Sequence, residues 1–287
     1  MSANIEEPQV PPRNDRLGKT GERIVRLALE DKFGETYVDE NIQGPGQRGK
    51  GADYVDKVSK LAIEVKLWID ASKSVGGYAD FKENILKRLQ RYRKKNGWKP
   101  ILILIGKKPV EWTRIVRWCN LNKIQPYYVP FSATDSLSRM AERDDFDVEV
   151  YATSAYRCEL KDPLRMILSL ALGEFRELND AEWKAVEPLL PWKKMGYYEN
   201  EGRWRMGHRM AKASERDMLN GLLKLCSVNG RAREFLPKYG AWHTAASRKR
   251  MWVADGTWDE IILVLSRLGF PASQTGQTRQ GDLRRDN

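Results

Sequence analysis

The sequence predicts an α/β core built on a mixed central sheet, followed by an all-α domain. Three observations carry this prediction. Between Asp15 and Val129, helical stretches alternate with short runs rich in β-branched residues, the order that places helices on both faces of a sheet. From Leu178 the period is helical almost throughout, and no strand intervenes. At 287 residues, with 41% apolar residues, ten Trp and eleven Tyr, the chain is long enough for two packed cores.

Residues 1–14 are polar and Pro-rich and are expected to be disordered. A helix is expected from Asp15, with Leu17, Ile24, Leu27 and Ala28 on one face, ending near Gly34. Thr36 to Ile42 reads as a strand, and the Gly-rich loop after it carries Arg48 and Lys50. Ala52 to Val58 and Leu61 to Trp68 form a hairpin pattern with a tight turn at Lys60. Alternation in the second run sets Ala62, Glu64 and Lys66 on one face and Leu61, Ile63, Val65 and Leu67 on the other. Beyond the Gly76-Gly77 break, Phe81 to Lys95 has helical period, with Ile85, Leu86 and Leu89 set among Lys82, Lys87, Arg88, Arg91, Arg93 and Lys94. Ile101 to Ile105 reads as a buried strand, Glu111 to Leu121 as a helix and Gln125 to Val129 as a strand. After the charged stretch Glu142 to Asp147, a further strand is expected over Val148 to Tyr156.

The helical half divides into Asp180–Leu190, Ser214–Cys226, Ala232–Lys238, Trp242–Ala254 and Thr257–Leu268, with Asn179, Ser214 and Thr257 as N-caps. The expected organisation is a core domain over 15–131, a connecting region over 132–172, a helical domain over 173–269 and a disordered tail over 270–287.

Fifty Lys and Arg against 39 Asp and Glu give a net charge of +11, which favours a polyanionic partner. The longest apolar stretches, Ile101–Ile105 and Met166–Leu172, are far shorter than the roughly 20 helical residues that cross a bilayer. The acidic, Pro-containing start has no apolar core for a secretory signal, so a cytoplasmic, nucleoid-associated protein is expected. Cys119, Cys158 and Cys226 have neither disulfide nor zinc-knuckle spacing and are expected to be buried thiols. His208 and His243 are the only histidines, so catalysis must rest on carboxylates and lysine.

An acidic residue on one strand followed by Glu-x-Lys on the next supplies the parts for metal-assisted phosphodiester hydrolysis. Asp53 and Glu64 would hold one or two Mg²⁺ ions, and Lys66 would stabilise charge on the phosphate. The spacing of two matters because a strand sends alternate side chains the same way. Arg48 and Lys50 of the loop, and Lys87, Arg88 and Arg91 of the later helix, would contact DNA phosphates.

Lys19-Thr20-Gly21-Glu22, Gly51-Ala52-Asp53 and Ile63-Glu64-Val65-Lys66 together resemble the PD-(D/E)XK nuclease superfamily, most closely its archaeal Holliday-junction resolvase branch. The resemblance spans about residues 15–130 and implies a restriction-endonuclease-like core and phosphodiester cleavage. It also implies a Mg²⁺ or Mn²⁺ site at Glu22, Asp53, Glu64 and Val65, with Lys66 as the catalytic lysine and Gln90 as an auxiliary glutamine. Ala52 stands in the family's proline position, and the resolvases' serine before Asp53 is missing. Pairing of protomers would allow both strands to be cut.

Leu178-Asn179-Asp180-Ala181-Glu182-Trp183, Glu187-Pro188-Leu189-Leu190-Pro191, the Leu236 to Thr244 segment and Asp255-Gly256-Thr257-Trp258 resemble the N-terminal helix-turn-helix region of insertion-sequence transposases over roughly 174–268. Arg248, Lys249 and Arg250 on the second helix of the pair would then reach DNA, with Arg203, Arg205 and Arg209 as a basic arm. The joint expectation is a Mg²⁺- or Mn²⁺-dependent endonuclease acting on DNA, with a transposase or recombinase as a possible partner. Junction resolution and non-catalytic DNA binding within a mobile element are the alternatives.

Overall fold

The computed structural model describes residues 12–45, 52–69, 85–95, 97–190, 214–227 and 237–271. Helix α1 (Arg13–Phe33) is followed by α2 (Glu35–Asn41), β1 (Ile42–Gln43), β2 (Tyr54–Asp56) and β3 (Leu61–Trp68). Then come α3 (Lys87–Arg93), β4 (Lys99–Gly106), α4 (Trp112–Leu121), β5 (Gln125–Pro130), α5 (Thr134–Met140) and α6 (Val148–Ala155). A π-helical turn at Tyr156–Leu160 carries α6 into α7 (Lys161–Ala171), and the chain continues through α8 (Asp180–Val186), α9 (Glu215–Ser227), α10 (Trp242–Asp255) and α11 (Thr257–Arg267).

The strands form one mixed sheet in the order β1-β2-β3-β4-β5, antiparallel from β1 to β3 and parallel from β3 to β5. The hairpin turns at Lys60, whose φ of 55° is left-handed. Asp56 sets the turn by accepting from the amides of Val58 and Ser59.

The sheet carries a separate core on each face. On one, α1, α6 and α7 cover Tyr54, Leu61, Ile63, Val65, Ile101, Ile103, Ile105, Tyr127 and Val129. On the other, Ala62, Leu102 and Leu104 join Leu89 of α3, Ile115 of α4 and the helical half through Leu219, Leu223, Trp252, Trp258 and Ile261. The helical half is therefore sealed onto the sheet by one continuous apolar cluster. Helix α7 serves both faces, with Leu164, Ile167 and Leu168 in the first core and Met166 and Leu170 in the second, which is why it is buried nearly all round. Lys108, just after β4, adds a polar tie to Asp259 of α11 at 2.6 Å.

Several expectations are corrected. Thr36–Ile42 is helical up to Asn41, because Phe33 and Tyr37 stack at 5.0 Å and Val38 is buried one turn on; only Ile42 and Gln43 are strand. Val148–Ala155 is also a helix. Asp147 caps it by accepting from the amides of Glu149 and Val150, and Ala152, Ala155 and Tyr156 bury on one side. Helix α1 begins at Arg13 rather than after residue 14, and Phe270, assigned to the tail, is buried in the second core. Cys158 is exposed, unlike Cys119 and Cys226. Thr257 is the first helical residue of α11, not its cap; its amide donates to Asp255. The expected terminal tails (apart from residues 12–14, 270 and 271), most of the Gly-rich loop, the Gly76-Gly77 break and the arm around Arg203 lie outside the described residues.

Asn179 and Ser214 do cap their helices. Asn179 and Glu182 form a reciprocal capping box, and Glu182, 2% exposed, is held at both oxygens by Arg176 at 2.7 and 2.5 Å. Asn179→Ala is expected to cost about 1 kcal/mol, measured as a lower urea midpoint at unchanged slope.

Candidate active site

The site is built where α1, β2 and β3 meet. A Cβ on Gly21 would lie 3.1 Å from Leu67 Cβ, so a residue without a side chain lets the helix approach the strand there. The Tyr54 hydroxyl, on the α1 face of the sheet, donates to the Glu22 carbonyl at 2.6 Å and fixes the helix against β2. Asp53 immediately precedes Tyr54 and has the opposite parity, so its carboxylate lies on the other side of the hairpin, where Glu64 and Lys66 project from β3.

Three predicted residues meet there. Lys66 Nζ is 3.0 Å from Glu64 Oε1 and 3.7 Å from Asp53 Oδ2. Asp53 Oδ2 also accepts the Val65 amide at 2.8 Å, which links the two strands through the side chain itself. Glu64 is 0% exposed, and its Oε2 is buried with no hydrogen-bond partner among the described residues. Burial pushes the Glu64 carboxyl up to about 7, against the pull of Lys66 and with a further push from Asp53. Glu22 feels the same cluster. Burial and the Asp53 charge raise its carboxyl, while Lys66 and Lys19 lower it.

An orphaned buried carboxylate oxygen is costly in isolation, and a cation is what such an atom accepts best. Asp53 and Glu64 offer the hard oxygen donors that Mg²⁺ and Mn²⁺ take. No three Asp, Glu, His or Cys side chains among the described residues are gathered closely enough to enclose an ion. The residues present thus fit an open two-carboxylate site, with Glu22 acting through its charge.

The helix α3 supplies a member that the sequence reading had assigned only to DNA contact. Arg88 Nη2 lies 3.2 Å from Glu64 Oε1, the oxygen that also takes Lys66. Gln90, expected in an auxiliary catalytic role, instead donates to Asn122 Oδ1 at 2.7 Å. Both flank the buried Leu89, one residue to either side, and so point about 200° apart around the helix. Only one of them could face Glu64. Lys87 and Arg91 are exposed on α3, whereas Arg48 and Lys50 lie outside the described residues.

In the helical half the three basic residues of α10 part company. Arg248 pairs with Glu215 of α9. Lys249 turns inward, with Nζ 3.6 Å from Cys226 Sγ and 4.7 Å from the centre of the Trp258 ring. Arg250 is exposed, and Arg203, Arg205 and Arg209 lie outside the described residues. Trp252 and Trp258 are buried in the core. The buried Glu182 and the Asn179 cap account for much of the Leu178–Trp183 motif in structural terms.

Residues 178–262 match the family model described as "Putative transposase of IS4/5 family". The match falls within the stretch already likened to insertion-sequence transposases and links the helical half to mobile-element proteins. No curated protein sequence and no solved structure matches the chain. No helix among the described residues is long and apolar enough to cross a membrane.

Proposed function

We propose that the chain is a divalent-metal-dependent DNA endonuclease of restriction-endonuclease-like fold whose helical half directs it to DNA associated with a mobile element. The observation that carries this reading is the meeting of Asp53, Glu64 and Lys66, with the second carboxylate oxygen of Glu64 buried and without a hydrogen-bond partner among the described residues. The mixed sheet with helices on both faces, the net charge of +11 and the transposase match of the helical half support it.

In this reading Asp53 and Glu64 would hold a Mg²⁺ or Mn²⁺ ion. When bound, that ion polarises a phosphoryl oxygen and makes a water molecule more acidic. Lys66 sets an ammonium beside both carboxylates, where it would offset charge developing on a scissile phosphate. The Val65 amide holds the Asp53 carboxylate in place. Glu22 adds negative charge at the edge of the site and so favours retention of the ion. On α10, the exposed residues Thr244, Ser247 and Arg250 form the surface available to a DNA groove, in place of Arg248 and Lys249.

The test is a panel of linear duplex, single-stranded, flap and four-way DNA incubated with and without Mg²⁺ or Mn²⁺. Cleavage of at least one substrate by the wild-type chain, lost on metal removal and in Asp53→Asn, is the expected result. DNA binding without cleavage of any substrate would leave the non-catalytic reading in its place.

A further inference from the structure

Arg88 is a second cation on a carboxylate that already has one. Glu64 is already paired with Lys66 at 3.0 Å, yet Arg88 reaches the same oxygen from α3 at 3.2 Å and leaves Oε2 unmatched. Two cations thus share an oxygen of the carboxylate that the nuclease reading assigns to the metal, and Lys19 adds a third positive charge near Glu22. A divalent ion at Glu64 would meet the repulsion of Lys66 and Arg88, and a phosphodiester, with one negative charge per phosphate, would relieve it.

Building on the nuclease reading above, we infer that Arg88 couples the two ligands: it occupies Glu64 in the free protein, opposes metal binding there, and turns to the DNA phosphate once metal is bound. Metal and DNA then bind cooperatively, and the coupling is reciprocal, so it can be read from either ligand. The side chain can make this transfer because it is 22% exposed on the strand-facing side of α3, next to the exposed Lys87, and its guanidinium donates to carboxylate and phosphate oxygens with the same geometry.

The experiment uses the full chain, with Mn²⁺ as the metal and a short, cleavage-resistant phosphorothioate duplex as the DNA. Calorimetry gives the Mn²⁺ affinity of the free protein, and fluorescence anisotropy gives duplex affinity with and without Mn²⁺. In the wild type, Mn²⁺ is expected to tighten duplex binding by roughly tenfold or more. In Arg88→Met, Mn²⁺ should bind the free protein severalfold tighter, and the Mn²⁺-dependent gain in duplex affinity should fall to about twofold or less. Arg88→Lys, which keeps the charge, should retain most of the gain and shows that the position tolerates change. Weaker or unchanged Mn²⁺ binding in Arg88→Met, or an undiminished gain, would overturn the inference. If the wild type binds no Mn²⁺, or binds it equally well as Asp53→Asn, the nuclease reading itself fails, and the two failures are thereby told apart.

Discussion

Lys66→Met is expected to slow metal-dependent cleavage by about 10³-fold, close to 4 kcal/mol of transition-state stabilisation, with duplex affinity nearly unchanged. The size of the effect follows from where the ammonium sits. It is 3.0 Å from Glu64 Oε1 and 3.7 Å from Asp53 Oδ2, in a pocket where Glu64 is fully buried and the effective dielectric is low. A positive charge fixed there costs nothing to reorganise as charge develops on the phosphate. Duplex affinity should survive because one contact among many carries little of a binding energy spread over a chain of net charge +11. Met keeps the length of the side chain, so the comparison isolates the charge. Single-turnover cleavage and anisotropy on the same duplex decide the matter. Equal losses in rate and in affinity would reduce Lys66 to an ordinary phosphate contact.

How much of this site could be read in the sequence depended on whether a residue's direction is set locally. On β3 it is. Alternation alone puts Glu64 and Lys66 on one side and Ile63 and Val65 on the other, and the two cores divide as that pattern predicts. Asp53 followed because the hairpin register is set by the turn at Lys60. On α3 direction is not local. Leu86 and Leu89 show which face is buried, but whether Glu64 lies on the Arg88 side or the Gln90 side depends on how the helix crosses the sheet, a tertiary fact with no trace in residues 85–95. The strands expected at Thr36–Ile42 and Val148–Tyr156 failed for a related reason. β-Branched and aromatic residues there suggested strand, while Asp147 as a cap and burial at Ala152, Ala155 and Tyr156 favoured helix, and packing against α1 and its neighbours decided the outcome.

The relation between the two halves shows the same divide. Helical period after Leu178 and the Asn179 cap were plain in the sequence. That Trp252, Trp258 and Phe270 would share a core with Ala62 and Leu102 was not, because an apolar stripe says that it must be covered and never by what. The consequence bears on function. Lys249, a candidate for DNA contact by motif, is consumed by Trp258 and Cys226, so in the proposed reading any DNA contact of α10 falls to the residues that this packing leaves outside.

Glu64→Gln should abolish cleavage and, at the same time, make the protein more stable at neutral pH. A carboxyl that burial has raised from 4.5 to about 7 keeps its proton in the folded chain at pH values where the unfolded chain has lost it. Between about pH 4.5 and 7 the native state therefore binds more protons, and Glu64 withdraws stability as pH rises through that window, with no further loss above it. A shift of this size corresponds to at most about 3 kcal/mol, and relaxation around the site brings the expected gain in the Gln variant to about 1–2 kcal/mol at pH 8. At pH 4, where the glutamate is neutral in both states, the variant and the wild type should differ little. Urea denaturation of both proteins at the two pH values measures the difference directly, and contributions from acids not coupled to Glu64 cancel in it. A gain of the same size at pH 4 and pH 8 would mean that the substitution acts through packing and not through a desolvated charge. The expected pattern, stability bought by losing the charge, is what distinguishes a carboxylate held in place for chemistry from one held in place for the fold.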